Sequence, residues 1–181
     1  MSAAASRRYA KALFALAKDS NTLQPTADQL LRLAAVAAAP ALGPVLRSPM
    51  LSVTRRHELA QMLARELTLS DLLARFLQLL ADQQRLGELP AIADRYQQLL
   101  DAQLGRVRLT IRSAAPLDAK QEADIVNAFA RLTGKQVLSQ VVVDAALLGG
   151  VVAEVEGKVY DGSVRTQLER LGKELSGAAS L

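Results

Sequence analysis

The hydrophobic residues of this chain change their spacing once, at Gly105, and any fold it adopts has to accommodate that change. Up to about residue 105 the apolar side chains recur at three- and four-residue steps, the repeat of helices that bury one face. Breakers at Asn21 and Pro25, Pro40 through Pro49, Ser70, and Gly87 to Pro90 cut this stretch into about six segments. They predict helices near 5–19, 25–38, 41–47, 52–67, 70–84 and 89–104. Ser70 before DLLARFLQLL, and Ser52 or Thr54 before RRHELAQML, fit as N-caps because their hydroxyl oxygens accept from unpaired first-turn amides.

After Gly105 the period is two. VRLTIRS puts Val107, Leu109 and Ile111 on one face and Arg106, Arg108, Thr110 and Arg112 on the other, a half-buried strand. Pro116-Leu117-Asp118 then opens a helix in which Asp118 and Gln121 have capping-box spacing, Ile125, Phe129 and Leu132 share a face, and Gly134 is the C-cap. A second strand covers 136–144, a hairpin covers 150–161 with its turn at Glu156-Gly157-Lys158, and a last helix runs from about 162 to 176. The expected class is α+β: a six-helix bundle over 1–105, then a small α/β domain over 106–181 with a short mixed sheet and two helices, hinged at 104–106.

Composition excludes several functions. With 181 residues, half of them hydrophobic, the chain can bury a sizeable core. Cysteine is absent, which removes disulfides, thiolate nucleophiles and cysteine-held metals. His57 is the only histidine, and its place in RRHELAQML is that of a solvated helix residue rather than a catalytic base. The pI of 9.7 invites a nucleic-acid reading, but the net charge of +4 is thinly spread and only three tyrosines and three phenylalanines are available for stacking. No nucleic-acid partner is therefore expected. Neither MSAAASRRYAKALF nor the interrupted run LAAVAAAPALGPVL reads as an export signal or a membrane span, so any membrane link is expected through a partner.

One stretch, LGGVVAEVEGKVYDGSVRTQLERL at 148–171, has the glycines and helix opening of a phosphate loop. Its helix opening is already supplied with acceptors, Asp161 and Ser163, which occupy the amides an anion would need. Gly150, Gly157 and Gly162 read as turn residues, with Val151, Ala153 and Val155 facing the core and Val164, Leu168, Leu171 and Leu175 continuing it on the last helix. Arg165 is placed to pair with Glu169 or Asp161. Asp144, Glu154, Glu156 and Asp161 are scattered without a metal-binding pattern, so no catalytic residue, cofactor or metal is expected.

Two helices carry more apolar surface than a peripheral helix needs. On the first, Tyr9, Leu13 and Leu16 form one stripe, and Ala10, Phe14 and Ala17 a second about 100° away; on the fifth, Leu72, Phe76 and Leu79 form one, and Leu73, Leu77 and Leu80 the other. Either both helices are central and buried on two sides, or the surplus stripes form a groove for an amphipathic helix of another protein.

Three passages, RRYAKALFALA, LADQQRLGELPAIADRY and above all LLGGVVAEVEGKVYDGSVRTQLERL, resemble the delta subunit of bacterial F-type ATP synthase, the counterpart of the mitochondrial oligomycin-sensitivity-conferring protein. The resemblance runs the length of the chain. It implies a non-catalytic peripheral-stalk subunit, one copy per complex, whose bundle holds the N-terminal helix of a head alpha subunit between its first and fifth helices. The C-terminal domain would hold the membrane-anchored b subunits, at the cytoplasmic face of the bacterial inner membrane. It favours Tyr9, Leu13, Leu16, Leu72, Phe76 and Leu79 as the outward stripes. The chain departs from the family at Gln83-Gln84, where many relatives carry glycine or asparagine, and at Gly149-Gly150, where many keep only the second glycine.

Overall fold

The computed structural model describes residues 3–48 and 50–170, and the chain divides into two compact units, Met1–Leu100 and Asp101–Leu181. In the first, the helical period produces α1 (Ala3–Asp19), α2 (Leu23–Ala38), α3 (Gly43–Arg47), α4 (Val53–Glu66) and α5 (Asp71–Asp82). A 3-10 turn at Leu86–Glu88 leads into α6 (Leu89–Gln103). Pro25 sits in the first turn of α2, where its missing N–H has no intrahelical partner to lose. Ser52 caps α4 by accepting from the Arg55 amide, so Thr54 is not the cap. Ser70 makes no side-chain cap; its own amide donates to Gln29 Oε1 at 2.9 Å.

The bundle core is leucine-rich. Leu30, Leu33, Leu46, Leu73, Leu77, Leu80, Leu86 and Leu89 pack with Ile92 and Tyr96, all essentially sealed from solvent. Each such leucine contributes about 2 kcal/mol of apolar burial. Arg56 is buried too, and its guanidinium donates to the carbonyls of Leu51 (3.0 Å) and Ser48 (2.9 Å), fastening the connection between α3 and α4.

Helices α1, α4 and α5 end in the same device. The amide two residues past each C-cap returns to the helix: Thr22 to the Ala17 carbonyl at 2.8 Å, Leu69 to Ala64 at 3.0 Å, Arg85 to Leu80 at 2.7 Å. The residue before it is left-handed in each case, Asn21 (φ 52), Thr68 (φ 47) and Gln84 (φ 57). Gln84 thus takes the conformation that glycine or asparagine adopts more cheaply, and the helix still ends at Asp82.

In the second unit β1 (Arg106–Ser113), α7 (Ala119–Thr133), β2 (Gln136–Val143), β3 (Gly150–Val155) and β4 (Lys158–Ser163) form a mixed sheet of order β2-β1-β3-β4. β1 and β2 are parallel, in the register Val107↔Val137 and Ile111↔Val141, which requires the α7 crossover; β3 and β4 complete it antiparallel. Val107, Leu109 and Ile111 are buried with Ala153 and Val155, and Ile125 and Phe129 of α7 pack on them. Leu132 does not join: it is 62% exposed in the last turn of α7, because the core beneath reaches only as far as Ile125, Phe129 and Leu117.

The strand β4 runs to Ser163, so the last helix, α8, starts at 164 and is described to 170. Ser163, not Val164, takes the inward place at the strand end. Val164 and Leu168 are consequently exposed, contrary to the core role expected of them, and Leu171 and Leu175 lie outside the described residues.

Two outcomes follow. A fragment of residues 1–105, which keeps α6 whole, should fold alone and give a cooperative helical melt by circular dichroism. Thr68→Gly should raise stability by about 1 kcal/mol in urea unfolding, because a β-branched residue is strained at positive φ and glycine is not.

Candidate partner-binding surface

The core face of α1 is formed by Ser6, Ala10, Leu13 and Ala17, all buried, at four-, three- and four-residue steps. That arc bisects the two stripes read from the sequence instead of choosing between them. Leu13, expected outward, is therefore only 1% exposed. On α5 the buried set is Leu73, Phe76, Leu77, Leu80 and Ala81, so Phe76 is likewise a core residue rather than an outward one. What remains at the surface is Leu16 at 55% and Leu79 at 46%, with Tyr9 and Leu72 half-buried at the edge of the core. Phe14, on the opposite flank of α1, meets Tyr96 edge-on with ring centres 5.5 Å apart.

The structure brings Tyr9 and Phe76 together. Their rings meet at 6.3 Å and 70°, an edge-to-face contact that joins α1 to α5. The Arg85 guanidinium stands 6.0 Å from the Tyr9 ring centre, within range of its negative face. Glu88 holds that arginine: Oε1 accepts from Arg85 Nη1 at 2.9 Å while Oε2 accepts from the Ser6 hydroxyl at 3.1 Å. Sequence reading missed this chain of contacts. Its only trace there is the three-residue spacing of Arg85 and Glu88.

The surface offers apolar area, one aromatic edge and a fixed cation, which suits docking. His57 Nε2 lies 2.8 Å from Asp82 Oδ1, an ordinary surface contact between α4 and α5. Among the described residues no cluster of acids and histidines could hold a metal ion, and no helix is long and apolar enough to cross a membrane.

The glycine-rich stretch of the second unit is a turn system. In the two-residue turn between β3 and β4, Glu156 (φ 48) and Gly157 (φ 78) are both left-handed, the pairing that follows the twist of a hairpin. Gly150 (φ 80) is needed for space as well, since a Cβ there would lie 2.4 Å from the Gly162 carbonyl oxygen. At Gly162 a Cβ would meet the Val151 carbonyl oxygen at 3.3 Å. Asp118 and Gln121 form the full capping box, with bonds of 2.7 and 3.0 Å, and Gly134 (φ 65) closes α7.

At the opening of α8 the Ser163 hydroxyl oxygen accepts from the Thr166 amide at 3.3 Å. Asp161 accepts from the Ser163 amide at 2.8 Å and from the Thr166 hydroxyl at 2.9 Å. These bonds, the Ser163 amide foremost, hold its carboxyl below the ordinary range. An anion would meet a carboxylate already in its seat. Asp161 uses its oxygens on Ser163 and Thr166, the role the sequence offered to Arg165.

A family model described as ATP synthase delta (OSCP) subunit matches residues 5–175. A protein named ATP synthase subunit delta from Anaeromyxobacter dehalogenans (strain 2CP-C) is 45% identical over 170 residues, spanning 93% of this chain and 95% of its own length. Its namesake from Chlorobium limicola (strain DSM 245 / NBRC 103803 / 6330) is 38% identical over 172 residues, 94% of each. Among solved structures, a chain in the cryo-EM structure of the Toxoplasma gondii mitochondrial ATP synthase hexamer has the same fold, with a TM-score of 0.72 at 21% identity over 94% of this chain and 96% of that one.

Tyr96, which backs Phe14, carries a measurable consequence. Its hydroxyl donates to the Leu23 carbonyl at 3.0 Å, and burial pushes its pKa up to about 12. The folded state therefore keeps a proton that the unfolded chain releases near pH 10. Stability is fully present below pH 10 and should fall between pH 10 and about 12, by at most about 1.4 kcal/mol per pH unit from this group. Urea titrations of wild type and Tyr96→Phe should run parallel below pH 10, and between pH 10 and about 12 the wild type alone should lose this increment.

Proposed function

The chain belongs to the ATP synthase delta (OSCP) subunit family, and on that premise we propose that it is the stator link between catalytic head and membrane sector of an F-type ATP synthase. The delta subunit is a structural component of the complex, not its catalytic one. In this reading residues 1–105 hold the N-terminal helix of a head alpha subunit and residues 106–181 hold the b subunits of the peripheral stalk. The complex translocates protons or sodium ions, and this subunit sits on the cytoplasmic side of the bacterial inner membrane, attached through its partners.

The task is mechanical. Torque on the head must be resisted, or rotation of the rotor would be shared with the head and no work would be stored. A nanomolar contact corresponds to about 12 kcal/mol, and two contacts on one chain reinforce each other. The observation that carries the assignment of the head-binding face is the exposure of Leu16 and Leu79 on the two helices joined by Tyr9 and Phe76. An amphipathic helix laid along them covers both leucines and the outer edges of Tyr9 and Leu72. Leu13 and Phe76 act from beneath, by setting the separation of the two helices.

Leu16→Ala and Leu79→Ala should each weaken binding of the alpha N-terminal peptide about tenfold by calorimetry, while changing the stability of this chain by less than about 0.5 kcal/mol. Unchanged affinity in both variants would remove the groove assignment.

A further inference from the structure

The charges around the exposed leucines are unevenly placed. Arg75 lies three residues after Leu72 and four before Leu79, so it neighbours both on the flank of α5 away from the buried Phe76, and it is exposed. Arg8 precedes Ala12 and Leu16 at four-residue steps along α1, and Arg8, Ala12 and Leu16 are all exposed. Ala12 leaves room between the arginine and the leucine.

The acids of this region are differently situated. Glu88 is engaged by Arg85 and Ser6, and Asp82 by His57. The remaining acids of the two helices stand at their ends, Asp19 at the last residue of α1, one turn beyond Leu16, and Asp71 at the first residue of α5, one turn before Arg75. Each apolar strip is thus accompanied by a guanidinium: Arg8 on α1 and Arg75 on α5. Arg85 is held at the Tyr9 ring, with its charge opposed by Glu88.

We propose that this surface selects by charge as well as by shape, accepting an amphipathic helix whose apolar stripe is flanked by carboxylates that reach Arg8 on one side and Arg75 on the other. The inference rests on the head-helix reading above and adds to it the chemistry of the occupant. Leu16, Leu79 and Tyr9 supply the affinity; the two arginines set which helices are admitted. A guanidinium offers a fork of donors to a carboxylate, so pairing along each rim fixes the rotation of the bound helix about its own axis. Lysines on the same flanks would face the arginines at close range, and like charge rejects such a helix.

The test uses the full chain and two synthetic 22-residue peptides that share one apolar stripe, flanked by glutamates in one and by lysines in the other. Calorimetry in low salt should show the glutamate peptide binding about tenfold tighter, with the gap closing at high salt as the exposed pairs are screened. Arg75→Glu should lower the preference at least threefold. Arg8→Glu combined with it should reverse the preference, with circular dichroism unchanged. Equal affinity of the two peptides for the wild-type chain overturns the charge selection and leaves the apolar groove standing. Failure of both peptides, together with the alpha N-terminal peptide, overturns the groove itself.

Discussion

A helix in a bundle presents one arc to the core, and in α1 and α5 that arc falls between two apolar stripes. Everything at the candidate surface depends on this placement. The inner half of each stripe supplies Leu13 and Phe76 to the core, and the outer half leaves Leu16 and Leu79 in solvent. Choosing one stripe entirely would have given either a sealed bundle or a fully apolar patch. The intermediate phase leaves leucines that forgo about 1 kcal/mol of burial each while the chain is alone. On the proposed reading, a helix laid over them would recover that burial. The edge-to-face contact of Tyr9 with Phe76 joins α1 to α5.

The second unit is held by a different constraint, the close approach of two backbone segments at the open end of the β3–β4 hairpin. Gly150 pairs with Ser163, and there is no room for a side chain between the Gly150 Cα and the Gly162 carbonyl. That approach brings the start of α8 against the end of the sheet, where the Val164 amide donates to the Gly149 carbonyl at 3.0 Å. Asp161, exposed near the end of β4, reaches the helix opening and bonds Ser163 and Thr166. A glycine-rich loop that cradles a phosphate leaves its amides open. Here the chain's own side chains close them, so the same sequence grammar yields a corner instead of a site.

Where local chemistry fixes an element, the sequence was enough. The change of period at Gly105, the Asp118-Gln121 box, the Glu156-Gly157 turn and the alternation of Val107, Leu109 and Ile111 each act within a few residues, and each stands where it was read. Phase and partnership were not legible in the same way. Which arc of α1 meets the core depends on helices far along the chain, so Leu13 could be placed on a stripe but not given its burial. Arg85, Glu88 and Ser6 meet across a sequence separation of about 80 residues, which no local pattern encodes. The left-handed ends at Thr68 and Gln84 were hidden for the opposite reason. The residues that signal such turns are glycine and asparagine, and this chain uses neither there.

The division of labour across the α1–α5 surface has a consequence for how a static link can be both tight and particular. Apolar burial is non-directional, and it would accept many amphipathic helices in several rotations about their axis. Exposed charge pairs add little affinity, but they are directional and they penalise the wrong neighbour. On the proposed reading, with the leucines set slightly inside Arg8 and Arg75, a helix would have to satisfy the apolar contact first and would then be read by its flanks. On the proposed stator reading, torque would act on such a contact as shear along the groove. A purely apolar seat resists shear weakly, because sliding by a turn replaces one apolar contact by another. On the proposed reading, arginines in register with carboxylates would lose their pairs on sliding, so Arg8 and Arg75 would both select the partner and oppose its slippage.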